Sequence, residues 1–130
     1  MRNAAAYANV QAMTLGQERA FEELYLRLAR RSAEARAMTD DATWAEVNTL
    51  LDRCVSALGY MSGLIDVSKS YETAAAILSL NRFAIGALIR TKSEHDLNQL
   101  EGLPALFVSL AEIFTAMDSH PVSSARPISA

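Results

Sequence analysis

The chain has 130 residues, which suits one domain that buries roughly two thirds of its unfolded surface without disulfides or metal. Hydrophobic residues make up 51% of it and charged residues 21%, a globular rather than a disordered composition. The net charge of −3, with no basic run, argues against nucleic-acid binding. Because neither a signal-peptide pattern nor an apolar run of ~20 residues is evident, we expect a soluble cytoplasmic protein.

Helical periodicity dominates the sequence, and alternating strand patterns are not evident. Residues 1–13 are predicted to form an N-terminal arm. Thr14 and Gln17 then have the spacing of a capping box, and a first helix is predicted over residues 15–37. Its buried stripe is predicted to contain Phe21, Leu24 and Leu28. The arginines of this helix could form a docking patch, but a solvated face is the simpler interpretation.

A second capping box, Thr43 with Glu46, begins the second helix, which is predicted to end near residue 65. Its apolar residues recur in steps of three and four, the spacing of a bundle seam. The seam consists of Trp44, Val47, Leu51, Cys54, Leu58, Met61 and Ile65. Since the single cysteine, Cys54, lies within the seam, we expect a packed thiol rather than a nucleophile or a disulfide.

The third helix is predicted over residues 71–91. It has too few polar residues to form a polar face exposed to solvent. Between residues 73 and 89 most side chains are apolar, and the only charge is Arg82. A bundle helix needs only about three apolar positions in seven. This helix is therefore predicted to be central in the fold or covered by a partner.

The last helix is predicted to follow a cap at Asp96. Its seam consists of Leu100, Leu103, Phe107, Leu110, Phe114 and Met117. Pro104 removes a backbone donor inside this pattern, so a kink or a restart is expected there. Together the elements predict an all-α, antiparallel up-down four-helix bundle over residues 14–118, followed by a disordered, flexible tail over residues 119–130.

Residues for catalysis or metal binding are not evident in the pattern. His95 and His120 both lack the Glu-x-x-His spacing of di-metal bundles, and phosphate loops and nucleophile elbows are not found. We therefore expect no enzyme activity, no cofactor and no metal. The surplus of apolar surface instead indicates a protein-binding surface, or a homo-oligomer such as a homodimer in which that surface is covered.

The start of the chain resembles the flagellar export chaperones of the FliS type. That family begins with a tyrosine, then a Thr-Ala-Ser-Pro-Glu-Glu-Leu motif, then a Leu-Tyr pair on the first helix. Here Tyr7 stands in the arm, and Thr14 leads without gaps to Glu18 and to Leu24-Tyr25. Tyr25 is expected to be structural because Leu24 beside it lies on the core stripe.

Later positions are also similar to the family, up to about residue 114. The matching positions are Asn48, Cys54, Leu58, Met61, Ile65, Asp66, Ala74, Ile77, Leu80, Phe83, Asp96 and Phe114. Several motif positions differ: Gln17 replaces a proline, Ala20 a leucine, and Asn81 a tyrosine of the third helix.

The resemblance implies a cytoplasmic chaperone that binds the C-terminal helical segment of flagellin in apolar grooves and prevents premature polymerisation. Such helix-in-groove binding needs exposed apolar side chains. The predicted contact residues are Tyr7 in the arm, Leu50 and Leu64 on the second helix, Leu78, Phe83 and Ile85 on the third, and Ile113 on the fourth. Core packing is the alternative for each. A structural homo-oligomer and an adaptor for another secretion client are the alternative functions.

Overall fold

The computed structural model describes residues 18–38, 44–66 and 71–119, with side chains up to residue 115. These residues form four α-helices and one 3-10 helix, and the described part of the chain contains no strand. The elements are α1 Glu18–Arg36, α2 Trp44–Gly63, α3 Tyr71–Glu94, the 3-10 helix Leu97–Leu100, and α4 Leu103–Ser119. The predicted all-α four-helix bundle is confirmed.

α2 and α3 run antiparallel, as the contacts between them show. Between α2 and α3, the Lys92 ammonium lies 3.0 Å from Asp52 Oδ1, whereas Asn81 bonds Ser62, ten residues further along α2. The rings of Trp44, at the start of α2, and His95, just after α3, have centroids 4.5 Å apart. Residues earlier in α2 thus meet residues later in α3.

α1 and α4 are also antiparallel and share an aromatic cluster. Phe21, in the first turn of α1, lies 5.4 Å from the ring of Phe114, near the end of α4. Tyr25, one turn later, is stacked with Phe114 at 5.9 Å and with Phe107 at 6.4 Å. All four rings are fully buried, so this cluster forms the centre of the interface between α1 and α4.

The predicted seams form most of the core. In α2 every seam residue after Trp44 is buried, and in α4 the seam is buried from Leu103 to Phe114. In α1 the predicted stripe residues Phe21 and Leu28 are buried, but Tyr25 is buried in place of Leu24, which is only half-buried. Tyr25 is therefore structural, as predicted, but it lies on the stripe itself.

α3 ends at a left-handed residue. His95 has φ of 51°, a conformation that histidine adopts more readily than bulkier residues. The Asp96 N–H then donates to the Thr91 carbonyl at 3.3 Å, the long bond of a Schellman cap. α3 thus continues three residues beyond its predicted end at residue 91.

The predicted restart near Pro104 is confirmed. Asp96 caps the 3-10 helix by accepting the Asn98 N–H at 3.0 Å, and the chain turns through Gly102, whose φ is 89°. The Gly102 carbonyl accepts the Leu106 N–H at 3.0 Å, so α4 begins at Leu103. Pro104 lies in the first turn, where its missing N–H has no intrahelical partner to lose.

α3 contributes to the core and also carries apolar side chains at the surface. Its buried residues include Ala74, Ile77 and Leu88, whereas Phe83 and Ile89 are more than half exposed. By length and composition alone α3 is apolar enough to cross a membrane, a test that core helices of soluble proteins also pass.

Several predictions lie outside the described residues. These are the arm over residues 1–13, the caps at Thr14 and Thr43, and the tail beyond residue 119. Within the described part, α4 includes Ser119, the residue at which the tail was predicted to begin.

Candidate functional site

The four helices do not pack equally closely. α1 packs most closely on α4 and also contacts α2, α2 contacts α3, and α3 and α4 approach each other far less. Small buried residues, Ala29 and Ser32 on α1 and Ala111 on α4, allow the close approach of those two helices. α3 and α4 therefore lack the close backbone approach seen between α1 and α4, and we call the surface between them the α3–α4 cleft.

Phe83 and Leu80 lie on the flank of α3 that points away from α2. Phe83 is nine residues before Lys92, which pairs with Asp52 of α2. At about 100° per residue, nine residues place the two side chains on opposite sides of the helix. Leu80 lies three residues before Phe83 on the same flank. Their exposed fractions are 38% for Leu80 and 60% for Phe83.

On α4, Ile113 lies on the flank that points away from α1. The Thr115 hydroxyl donates to Glu22 of α1 at 2.8 Å, which marks the flank of α4 that contacts α1. Ile113, two residues earlier, lies about 200° around the helix and is 37% exposed. Leu106, seven residues before Ile113 and half-buried, lies on the same flank. The α3–α4 cleft is thus bordered by Leu80, Phe83, Leu106 and Ile113.

A buried polar network holds the part of α3 that carries Leu80 and Phe83. The Tyr25 hydroxyl donates to Asn81 Oδ1 at 2.8 Å, and Asn81 Nδ2 donates to the Ser62 Oγ at 3.1 Å. Asn81 and Tyr25 are fully buried. Burial raises the pKa of Tyr25 to about 12, although the Asn81 bond acts in the opposite direction. α1, α2 and α3 are thereby connected directly beside the cleft.

The predicted contact residues do not form one surface. Phe83 and Ile113 border the α3–α4 cleft. Leu50 and Leu64, and likewise Leu78 and Ile85, are partly buried side chains packed against the core. Tyr7 lies outside the described residues.

The sequence analysis did not include Leu80 among the predicted contact residues, although its position three residues before Phe83 places both on one flank of the helix. Ile89 was also missed and is 52% exposed, on the flank of α3 that carries Ile85. Two tyrosines, Tyr60 and Tyr71, are more exposed still, at 64% and 72%. Exposed apolar side chains therefore extend beyond the α3–α4 cleft.

The described side chains offer little reactive chemistry. Burial raises the pKa of the Cys54 thiol to about 11, and nearby Arg31 only partly offsets this, so the thiol is a poor nucleophile at neutral pH. Among the described residues, no group of three His, Cys, Asp or Glu side chains is placed to hold a metal ion. What the exposed surface offers is apolar contact area.

Comparison with known proteins identifies the family. A family model described as flagellar protein FliS matches residues 1–121, which includes the motif region of Tyr7, Thr14 and Leu24-Tyr25. Searches of curated proteins and of solved structures gave no match. The match covers nearly the whole chain and confirms the resemblance drawn from those residues. This chain therefore belongs to the FliS family of flagellar export chaperones.

Proposed function

We propose that this flagellar export chaperone acts in the cytoplasm and binds the C-terminal helical segment of flagellin, which it keeps from polymerising before secretion. Membership of the FliS family supports a role in flagellar export. The observation that carries the binding proposal is the α3–α4 cleft, with Leu80, Phe83 and Ile113 exposed along it.

The cleft suits an amphipathic helix better than a small molecule. Its exposed residues occur on two helices, so a partner helix can replace the missing close contact between α3 and α4. Covering Phe83 and its neighbours removes apolar surface from water, at about 25 cal/mol per Å². Because a flagellin segment that is disordered when free must be ordered on binding, this burial has to offset its conformational entropy.

The test is calorimetric titration of the full chain with the C-terminal segment of flagellin from the same organism. We expect saturable one-to-one binding with a negative heat-capacity change. Absence of binding by a folded, monomeric chain would refute flagellin as the partner. It would not change the assignment of the chain to its family. A dimer that dissociates only when the segment is added would show that the apolar surface covers itself in the free protein.

Matched variants test whether the flagellin segment binds in the α3–α4 cleft. Phe83→Asp and Ile113→Asp put a charge where an apolar side chain should be covered, so each should weaken binding at least about tenfold. Val108→Asp is the control, because Val108 is 40% exposed on the same helix as Ile113 but on a different flank. Equal losses in all three variants would contradict binding at the cleft.

A further inference from the structure

Two separate depressions lie along the junction of α1 and α2, on the side of the bundle opposite the α3–α4 cleft, and we call this junction the α1–α2 groove. Three arginines line one end of it: Arg27 and Arg31 from α1, and Arg53 from α2. The other residues that line this end are uncharged: Leu24, Leu28, Cys54 and Ala57. We call this the basic end of the α1–α2 groove.

Within residues 18–38, 44–66 and 71–115, no carboxylate forms an ion pair with any of these three guanidinium groups. The chain as a whole is acidic, with a net charge of −3, so this cluster of positively charged side chains is a local feature of the surface. Because neighbouring like charges repel, an anionic ligand between them would remove an unfavourable interaction as well as add a favourable one.

The sign of the charge reverses further along the same groove. Its other end is lined by Glu34 and Glu46, with Met38, Thr49 and Leu50 between the two helices. Glu34 lies three residues after Arg31, a rise of about 4.5 Å along α1. Met38 and Leu50 pack against the core, as Leu24 and Ala57 do at the basic end, so both ends have an apolar floor.

The length of the α1–α2 groove and the charges along it indicate what kind of ligand it can bind. Between Leu24 and Met38 the groove follows α1 for about 20 Å, the length of a helix of about 14 residues. Carboxylates suit arginine particularly well because the guanidinium fork binds both oxygens at once. A uniform polyanion fits poorly, because Glu34 would repel its far end.

We propose that the α1–α2 groove binds an amphipathic helix of a protein partner, whose acidic residues lie against Arg27, Arg31 and Arg53 and whose apolar stripe covers the floor. The acidic residues of this helix are confined to about two turns, and the rest of its polar face is neutral or basic. The α3–α4 cleft lies on the opposite side of the bundle, so both surfaces can be occupied together, and this proposal does not depend on which client the cleft binds.

Three synthetic peptides of about 14 residues, each with the same leucine stripe, test the charge selectivity. The first carries glutamates in one half and lysines in the other, the second carries glutamates throughout, and the third lysines throughout. Fluorescence anisotropy with the full chain should rank their affinities in that order, with about tenfold between the first and the third. Equal affinity of all three would overturn the proposal.

Two charge-reversed variants locate the binding site. Arg27→Glu/Arg53→Glu should weaken binding of the first peptide about tenfold, whereas Arg30→Glu/Arg82→Glu should change it less than about twofold. All four arginines are exposed, so both variants should keep the helical circular-dichroism spectrum. Both carry the same change in net charge, so equal losses would indicate a nonspecific field effect and overturn the proposal.

Competition distinguishes a helix-binding groove from a simple anion site. Neither inorganic phosphate nor a short RNA should displace the first peptide, since neither covers the apolar floor. Displacement by RNA at lower concentration than by unlabelled peptide would reassign the arginines to phosphate recognition. The flagellin titration is unaffected by that outcome, so failure of the two proposals is distinguishable.

Discussion

The Tyr25 hydroxyl donates a 2.8 Å hydrogen bond to Asn81 Oδ1, and both side chains are fully buried. The sequence resemblance matches Asn81 to a tyrosine of the family pattern, and the Asn81 amide completes a polar connection from α1 through α3 to Ser62 of α2. Inside an apolar core such a network is favourable only when all its members are satisfied. The departure from the motif is thus matched to Tyr25 rather than tolerated at the surface.

Removal of the Tyr25 hydroxyl should destabilise the fold. In Tyr25→Phe, Asn81 Oδ1 loses its donor while remaining buried, which should lower the free energy of unfolding by about 1–3 kcal/mol. Urea denaturation followed by circular dichroism measures this. Tyr60→Phe is the control, since Tyr60 is 64% exposed and should change stability by less than about 0.5 kcal/mol. Equal effects of the two substitutions would contradict a structural role for the bond.

Stability should fall in alkaline solution. The pKa of Tyr25 is raised from 10.0 to about 12, chiefly by burial, so the folded state retains a proton that the unfolded state has lost. This contribution is complete below pH 10 and is lost as the pH rises toward 12, at a limiting cost of about 2–3 kcal/mol. Urea midpoints of Tyr25→Phe should decline less steeply across this window than those of the unchanged chain. If the urea midpoints of the two chains declined equally, the attribution of this pH dependence to Tyr25 would be refuted.

Cys54 should react slowly with thiol reagents in the folded protein. Its pKa is raised from 9.0 to about 11 by burial, which lowers the thiolate fraction near pH 8 by about 100-fold. A disulfide-exchange dye measures the rate directly, because the chain has one cysteine. The same chain in concentrated urea should react at the rate of a free thiol. Rapid reaction of the folded chain would show that the α2 seam opens at Cys54.

Two phenylalanines should respond differently to truncation. Phe114 is fully buried in the aromatic cluster, so Phe114→Ala should cost about 3–5 kcal/mol. Phe83 is 60% exposed, so Phe83→Ala should cost less than about 1 kcal/mol while weakening client binding. Thermal or urea unfolding of both variants checks the order. A large stability loss in Phe83→Ala would move that residue from the cleft to the core.

Two glycine-to-alanine substitutions should have opposite signs. Gly102 has φ of 89°, so Gly102→Ala introduces a side chain into an unfavourable backbone conformation and should cost about 1 kcal/mol or more. Gly59 lies inside α2 with nothing within 4 Å of an added Cβ, so Gly59→Ala should stabilise by about 0.5–1 kcal/mol. The two urea midpoints should therefore move in opposite directions. Stabilisation by Gly102→Ala would contradict the described start of α4.

Helical periodicity was sufficient to predict the bundle from the sequence. Seam residues such as Leu51 and Phe107 recur every three or four positions, and this spacing is set by the helix itself. Pro104 predicted the restart of α4 because its missing N–H is tolerated only in a first turn. These are local constraints, and the structure bears them out at most seam positions, with Leu24 and Trp44 only half-buried.

The candidate binding surfaces depended on tertiary packing. Phe83 and Phe107 are both phenylalanines in apolar helices, yet one is 60% exposed and the other fully buried. Periodicity reports a side chain's direction relative to its own helix axis, but exposure also depends on how close the neighbouring helix lies. The sequence by itself determined the elements, their antiparallel order and the family resemblance. Only tertiary structure decided that α1 packs closely on α4 while α3 stands apart from it, because helix separation reflects the combined shapes of residues distant in the chain.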